Sequence, residues 1–410
     1  MKVAVPAESI PGERRVATLP DVVPSLLRSG LHVAVQSGAG LASLAPDDAY
    51  ADAGAEVVTA VEASQVDVLL HVRPLHPKVV ARLKPGAITI GFCSPSAELE
   101  TVRALRDGKV TSFAMELVPR ISRAQSMDAL TSQALVAGYR CVLEAAMRLP
   151  RFLPLFMTAA GTVPPAKVLV LGAGVAGLQA IATAKRLGAV VSAYDVRTAS
   201  ADEVRSMGGT FVDLGLDAIE GAGGYAREQS EDRARRQQEL LTPYISATDI
   251  LITTASIPGR PAPQLVTAKM IELMKPGSVI VDLAAESGGN VQGSLPGLDV
   301  VLPVVGGQIT LVGMKDAAST MPADASRLYA KNVANLLLLM TKDGQVVPDF
   351  DDEVVSGTCL THGGEVKHPA TAALLGETTE TAGAAGAATN PVAAGTPETA
   401  EPAEPTGDNV

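Results

Sequence analysis

The stretch Val168-Leu169-Val170-Leu171-Gly172-Ala173-Gly174-Val175-Ala176-Gly177-Leu178-Gln179 constrains this chain more than any other part of it. Four apolar residues read as a buried strand and the Ala-rich run beyond reads as a helix. Three glycines at G-x-G-x-x-G spacing lie between them. A second apolar strand, Val190 to Tyr194, then ends in Asp195, about 20 residues on, as the dinucleotide-binding fingerprint requires. Gly172 permits the tight turn from strand to helix, and Gly174 omits the side chain that would collide with a pyrophosphate. Gly177 lets helix and strand pack closely. The helix N-terminus supplies free N–H groups and a positive dipole end for the phosphates. Asp195 can accept hydrogen bonds from both adenine-ribose hydroxyls, and its charge repels a 2′-phosphate. NAD(H) is therefore expected over NADP(H), although Arg197 is a residue type that accommodates a 2′-phosphate. A Gly-rich turn in a non-binding domain of the same fold is the plainer alternative.

The surrounding pattern extends this reading. At 410 residues the chain suggests two domains and a tail. In the first third, Lys2 to Val5, Val33 to Gln36, Val66 to His71, Ala87 to Phe92 and Val110 to Ala114 read as buried strands. Helical patterns lie between them: Asp21 to Ser29, Pro46 to Ala53, Lys78 to Leu83 and Ala97 to Arg106. Met127 to Leu149 reads as a long helix, after which Ala159 to Pro165 breaks regular structure. The second series predicts strands at Lys167 to Leu171, Val190 to Tyr194 and Thr210 to Asp213, and helices at Gly177 to Leu187 and Ala201 to Met207. Ile250 to Thr254, Ser278 to Asp282 and Asp299 to Pro303 read as further buried strands, and Ala325 to Met340 as a second long helix. The expected fold is α/β, with two Rossmann-like, doubly wound parallel-sheet domains and a cleft between them. The expected division is 1–130 plus 325–375 for the first, discontinuous domain and 131–324 for the second. Residues 376–410, rich in Ala, Thr, Gly, Pro and Glu, are expected to be a disordered tail.

Composition narrows the function. A formal net charge of -11 argues against a nucleic-acid partner, which demands clustered Lys and Arg. Cys93, Cys141 and Cys359 lack metal or disulfide spacing and read as buried thiols of a reducing cytosol; no metal is expected. The N-terminus carries no signal-peptide pattern, and the apolar run Leu336 to Met340 is far short of a membrane span. A cytoplasmic protein is expected. Of the five histidines, none lies near the Gly-rich turn; His71 closes a predicted strand and reads as structural.

The other polar concentration is Pro119-Arg120-Ile121-Ser122-Arg123-Ala124-Gln125-Ser126-Met127-Asp128, at the junction of the two expected domains, where clefts form. Its groups suit a carboxamide, a ribose and a pyrophosphate, and none is a proton donor at neutral pH. The competing reading is a helix start capped by Ser126 or Asp128. Ala218 to Gln238 holds Gly221, Gly223 and Gly224 before a charged stretch, Arg227 to Arg236, and reads as a mobile loop.

Arg120 to Asp128 with Ala137-Gly138-Tyr139-Arg140 resembles the NAD(H)-binding alpha subunit (domain I) of proton-translocating NAD(P) transhydrogenases. Ala159 to Pro165, Gly174 to Ala189, Gly223-Gly224-Tyr225-Ala226, Ile257 to Pro263 and Lys275 to Ala284 resemble it as well, over roughly residues 1–370. The resemblance implies a homodimer that binds NADH and passes a hydride directly to NADP+ on a partner domain. A membrane-embedded partner would couple this to proton translocation, leaving the chain peripheral to the inner face of the cell membrane. It further implies that Arg120, Gln125 and Asp128 orient the nicotinamide and its ribose, with Ile121, Ser122 and Arg123 lining the same pocket. Val175 would lie over the pyrophosphate, and Asp195, Val196 and Arg197 would contact the adenosine. Gly224 and Tyr225 would belong to a loop that closes on the nucleotide, and Gln237 and Ser256 would complete the pocket. Thr131 stands where that family often has Ser, and Ser256 replaces a usual apolar residue. Alanine dehydrogenases resemble the chain at Pro6 to Ala17 and in the Rossmann half. They need a catalytic His where this chain has Gly91-Phe92-Cys93-Ser94, and a substrate-binding Lys where it has Arg73. A non-catalytic NAD-binding regulator is the third reading.

Overall fold

Residues 1–216, 231–256 and 260–377 are described by a computed structural model, in which two mostly parallel sheets are each covered by helices on both faces. The first sheet holds β1 (Lys2–Val5), β2 (His32–Gln36), β3 (Glu56–Val58), β4 (Val68–Leu70), β5 (Ile88–Gly91) and β6 (Thr111–Ala114), parallel in the order β3-β2-β1-β4-β5-β6. A hairpin of β7 (Phe156–Thr158) and β8 (Gly161–Val163) stands apart from either sheet. The second sheet contains β9 (Lys167–Leu171), β10 (Val190–Tyr194), β11 (Thr210–Phe211), β12 (Ile250–Thr253), β13 (Val279–Asp282), β14 (Asp299–Val304) and β15 (Gly307–Gly313). Their order is β11-β10-β9-β12-β13-β15-β14, and only β14 is antiparallel. Strand order reverses at β9 in this sheet and at β1 in the first, the arrangement of a doubly wound Rossmann fold.

Period-2 alternation explains why the strands read as unbroken apolar runs. Val168 and Val170 face a core shared with the helices Ala129–Arg148 and Val175–Arg186. Leu169 and Leu171 face a second core shared with the helix Glu231–Ala247. In the first sheet Val3 and Val5 join one core, and Ala4 joins another.

Two long helices link the sheets. The connecting helix, Ala129–Arg148, leaves the first and packs against the second. The return helix, Pro322–Leu339, buries Tyr329, Val333, Leu336 and Leu337 in the first core. The chain then adds a small hairpin, β16 (Thr341–Lys342) with β17 (Gln345–Val346). Next, β18 (Cys359–His362) joins the first sheet antiparallel to β6, with β19 (Glu365–Val366) at its edge. No helix among the described residues is long and apolar enough to cross a membrane.

Several expectations need correcting. Asp299 to Pro303 is not a buried parallel strand. β14 is an antiparallel edge in which Asp299, Val301 and Pro303 are exposed, and Pro303 fits there because the outward side of an edge strand makes no ladder bond. β15, for which the sequence predicts no strand, takes the interior position. Its signal is Gly306-Gly307: Gly306, at φ +84, turns a hairpin in which Val304 pairs with Gly307. Ala159 to Pro165 does not end regular structure, because β7 and β8 pair around Ala159-Ala160. Lys78 to Leu83 is one turn only, Pro77–Val80. The charged residues from Glu231 onward form a 17-residue helix rather than loop. Residues 217–230, 257–259 and 378–410 lie outside the described residues, and with them Gly224, Tyr225 and almost all of the expected tail.

Candidate functional site

The Gly-rich turn has the geometry its sequence calls for. Gly172 sits at φ +99, and a Cβ there would stand 2.7 Å from Thr254 Oγ1. A Cβ on Gly177 would meet Gly172 O at 1.9 Å, so only hydrogen fits where the helix presses on the strand. A Cβ on Gly174 would meet nothing within 4 Å. Gly174 is also the N-cap of the helix Val175–Arg186 and has no side chain to cap it, so the helix's first N–H groups lack an intrahelical partner. These features fit a pyrophosphate: positive dipole end, unused donors and no side chain in the way.

Asp195 ends β10 beside the turn, as expected, but its carboxylate is already engaged. Oδ2 accepts the Ala173 N–H at 2.7 Å and Arg197 Nη2 at 3.0 Å. Oδ1 accepts the Arg197 N–H at 2.9 Å and Arg197 Nε at 3.0 Å. The Ala173 bond ties the acidic residue to the turn itself. The Arg197 guanidinium lies on the Asp195 carboxylate, so the basic residue is paired with the acid whose charge repels a 2′-phosphate. A ribose would exchange places with it. Beside this pair, Tyr194, Val196, Phe211, Asp213 and Arg233 line a depression at the carboxyl ends of β10 and β11, where a Rossmann sheet holds adenosine.

The polar stretch forms a 3-10 helix, Ser122–Met127, pinned by its apolar members. Ala124 and Met127 enter the first core while Ser122, Arg123, Gln125 and Ser126 are exposed. Asn332 and Asn335 of the return helix both donate to Ser126 O. Asp128 caps the connecting helix, accepting from Thr131 N at 2.9 Å and Thr131 Oγ1 at 2.6 Å; Thr131 thus keeps the hydroxyl that matters locally. Arg123 turns toward the C-terminal part of the chain in a bidentate pair with Asp352 and a contact to Glu353. Arg120 is exposed and Ile121 half-buried at the start of the stretch.

Gly138, to which the sequence alone assigns no role, brings the two segments together. A Cβ on Gly138 would lie 2.1 Å from Ala176 O, so the connecting helix crosses the first turn of the dinucleotide helix in backbone contact. The Asp128 cap stands ten residues earlier, roughly 15 Å along the helix axis. Gln237, on the helix Glu231–Ala247, is 1% exposed, and its Oε1 is buried without a hydrogen-bond partner. Ser256 is exposed just beyond β12.

His71 is structural, as its place at the end of a strand suggests. It is buried, its Nδ1 lies 2.7 Å from Arg73 O, and burial pushes its pKa down to about 4. Sequence reasoning also misses a charged knot where the two sheets' domains meet. The fully buried Glu13 carboxylate accepts from Arg15 Nε and Nη2, from Arg73 Nε at 2.7 Å and from Ser319 Oγ at 2.9 Å. Arg73 also pairs with Asp316, and Arg15 Nη1 reaches Gln133 on the connecting helix. The sequence marks Pro6 to Ala17 and Arg73 only as alanine dehydrogenase-like positions, and nothing local in it pairs Glu13 with Arg73 or with Ser319, 306 residues away.

Comparison with known proteins finds a match on each half of the sequence. The profile described as Alanine dehydrogenase/PNT, N-terminal domain matches residues 4–137, and Alanine dehydrogenase/PNT, C-terminal domain matches residues 141–369. The boundary falls at Gly138. An NAD(P) transhydrogenase subunit alpha chain of Rhodospirillum rubrum is 50% identical over 382 residues, covering 90% of this chain and 98% of that protein. The crystal structure of a transhydrogenase from Sinorhizobium meliloti superposes with a TM-score of 0.78 at 46% identity, covering 90% of this chain and all of that one. Alanine dehydrogenase of Bacillus subtilis is 32% identical over 300 residues, 71% of this chain and 72% of that protein. On both halves of its sequence, the chain belongs to the alanine dehydrogenase/PNT family.

Proposed function

We propose that the chain is the NAD(H)-binding alpha subunit of a proton-translocating NAD(P)+ transhydrogenase. It presents NADH for direct, Re/Si-specific hydride transfer to NADP+ held by a partner subunit, coupled to proton movement across the membrane. The observation that carries the reading is the open space over Gly174 at the N-terminus of the helix Val175–Arg186, in a turn where Gly177 packs too closely for any side chain. The named relatives support the choice of reaction. When bound, NADH supplies the hydride; the chain's own residues bind it, orient it and leave one nicotinamide face open.

In this reading Gly172, Gly174, Val175 and Gly177 hold the pyrophosphate, and Asp195, Val196 and Arg197 the adenosine. Arg120, Ile121, Ser122, Gln125 and Asp128 hold the nicotinamide and its ribose, with Arg123 bracing the stretch through Asp352. Gln237 offers its unsatisfied Oε1 to the ligand. Ser256 completes the pocket with Gln237; Gly224 and Tyr225, expected to belong to a loop that closes on the nucleotide, lie outside the described residues. The proposed domains are 1–130 plus 325–375, and 131–324. The chain acts as a homodimer, peripheral to the inner face of the membrane through its partner subunits.

Alanine dehydrogenase chemistry has less support. In place of a catalytic His the chain has Cys93 and Ser94, whose N–H groups are bound to the buried Glu116 carboxylate. Arg73, in place of the substrate Lys, is engaged by Glu13 and Asp316, so the chain's own carboxylates occupy the cations a small acid would need. The test is titration of the protein with NADH and NADPH by nicotinamide fluorescence, followed by hydride exchange with a cognate NADP(H)-binding subunit. NADH uptake with NADPH exclusion, and exchange only when the partner is added, are expected. No NADH uptake, or rapid NADH oxidation with pyruvate and ammonia, overturns the proposal. Exchange in proteoliposomes without any pH change removes the proton coupling.

A further inference from the structure

Asn290 lies outside the residues assigned so far, yet it is 0% exposed and all of its polar groups are used. Its side-chain carbonyl accepts the Ala255 N–H at 3.0 Å. Its side-chain amide donates to Ala255 O and to Pro263 O, each 2.8 Å away. Its backbone carbonyl accepts from Leu265 N and Val266 N. One residue therefore ties both stems of the segment after β12, outbound at Ala255 and returning at Pro263 to Val266. Asn290 is held in turn by Asp282 at the end of β13. Asp282 Oδ2 accepts the Asn290 N–H at 3.0 Å, and Oδ1 accepts Thr253 Oγ1 and the Ala284 N–H. Gly288 at φ +101 and Gly289 at φ +80 make the left-handed turn that delivers it.

The outbound stem touches the Gly-rich turn. Thr254 Oγ1 donates to Gly172 O at 3.0 Å, and Ala255 N lies 3.1 Å from where a Gly172 Cβ would stand. β12 neighbours β9 on the side opposite β10. A dinucleotide with its adenosine over β10 and its pyrophosphate at the turn carries its nicotinamide half past the carboxyl end of β12.

We infer that Asn290 is a positioning residue for the nicotinamide half of the cofactor. It fixes the Ala255 stem against the Gly-rich turn before the ligand arrives, so binding does not have to order that wall. The inference rests on the nucleotide reading above. Asn290→Asp tests it, because it keeps the shape and the acceptor for Ala255 N–H while setting an oxygen against two carbonyl oxygens. The dissociation constant for NADH is expected to rise about tenfold or more, while that for 5′-AMP, which occupies only the adenosine half, stays within about twofold of wild type. General loosening of the domain moves both ligands together. Equal loss for both, or no loss for either, overturns the inference. If the aspartate variant does not fold, Asn290→Ser removes both donor bonds without a buried charge and is read the same way. Wild-type protein that takes up neither ligand defeats the nucleotide reading itself, a result distinct from normal wild type with unaffected variants.

Discussion

Gly174 and Gly177 stand in one turn but face different surroundings, and the same substitution separates fold from function there. An added methyl at Gly177 has Gly172 O in its way at 1.9 Å, so Gly177→Ala should cost about 2–4 kcal/mol and lower Tm whatever the ligand. At Gly174 the methyl meets nothing, so Gly174→Ala should leave Tm unchanged and weaken NADH binding about tenfold or more. A Gly174 variant that binds NADH normally would place the phosphates elsewhere. A second residue-scale effect belongs to Glu8, which accepts the Val72 N–H at 2.6 Å. Burial pushes its carboxyl from 4.5 up to about 7, so the folded state holds the proton more tightly than the unfolded chain. Its contribution to stability is present in full below pH 4.5 and is lost as pH rises through 7. Glu8→Gln should therefore be more stable than wild type at pH 8, by about 3 kcal/mol at most, and nearly equal at pH 5. Parallel denaturation profiles for the two proteins would refute this. The neighbouring Glu13 has the opposite sign. Burial opposes its charge, but Arg15 and Arg73 hold it at about 2, so its contribution is present above pH 4.5 and is lost as pH falls toward 2.

Elements are legible where one chemical demand acts on consecutive residues. The G-x-G-x-x-G turn, the strands packed on both faces and the two long helices can be read from the sequence with end errors of a few residues. What fails depends on partners distant in sequence. β14 is the exception, since its partner β15 is the next strand and its own Asp299 and Pro303 already mark it as an edge. Within the site, the glycine fingerprint and Asp195 are readable, whereas the Arg197 clasp, Gly138 against Ala176 and the Asn290 ties exist only once the sheet has formed. Gly138 makes the element-scale prediction. Gly138→Val drives a branched side chain into the Ala176 carbonyl and must separate two helices that pack in backbone contact. The expected cost is about 2–3 kcal/mol, with weaker NADH binding because the helix N-terminus shifts with it. Thermal unfolding and NADH titration check both. An unchanged Tm would show that the crossing has slack.

At the scale of the whole molecule, the two sheets' domains are joined by covalent and ionic means that the surface hairpin does not share. The connecting and return helices cross between them, and the Glu13–Arg15–Arg73–Asp316 knot ties the junction. β7 and β8 project away with apolar residues outward: Met157 is 76% exposed, and Phe152 stacks on Phe156 at 4.6 Å while both remain exposed. Leu155, next to Phe156 in sequence, is exposed as well. Such a surface on a protein of net charge -11 is poorly suited to water and well suited to a second copy. In a two-fold dimer each buried side chain counts twice, so Phe156 and Met157 together contribute several kcal/mol at about 1.5–3 kcal/mol each. With the interface of the proposed homodimer on this hairpin, Phe156→Ser with Met157→Ser should leave a monomer by light scattering. Because these side chains support neither core, the monomer should keep its far-ultraviolet circular dichroism and its NADH affinity. A double variant that stays dimeric would move the interface off the hairpin, whereas one that unfolds would make the hairpin part of the core.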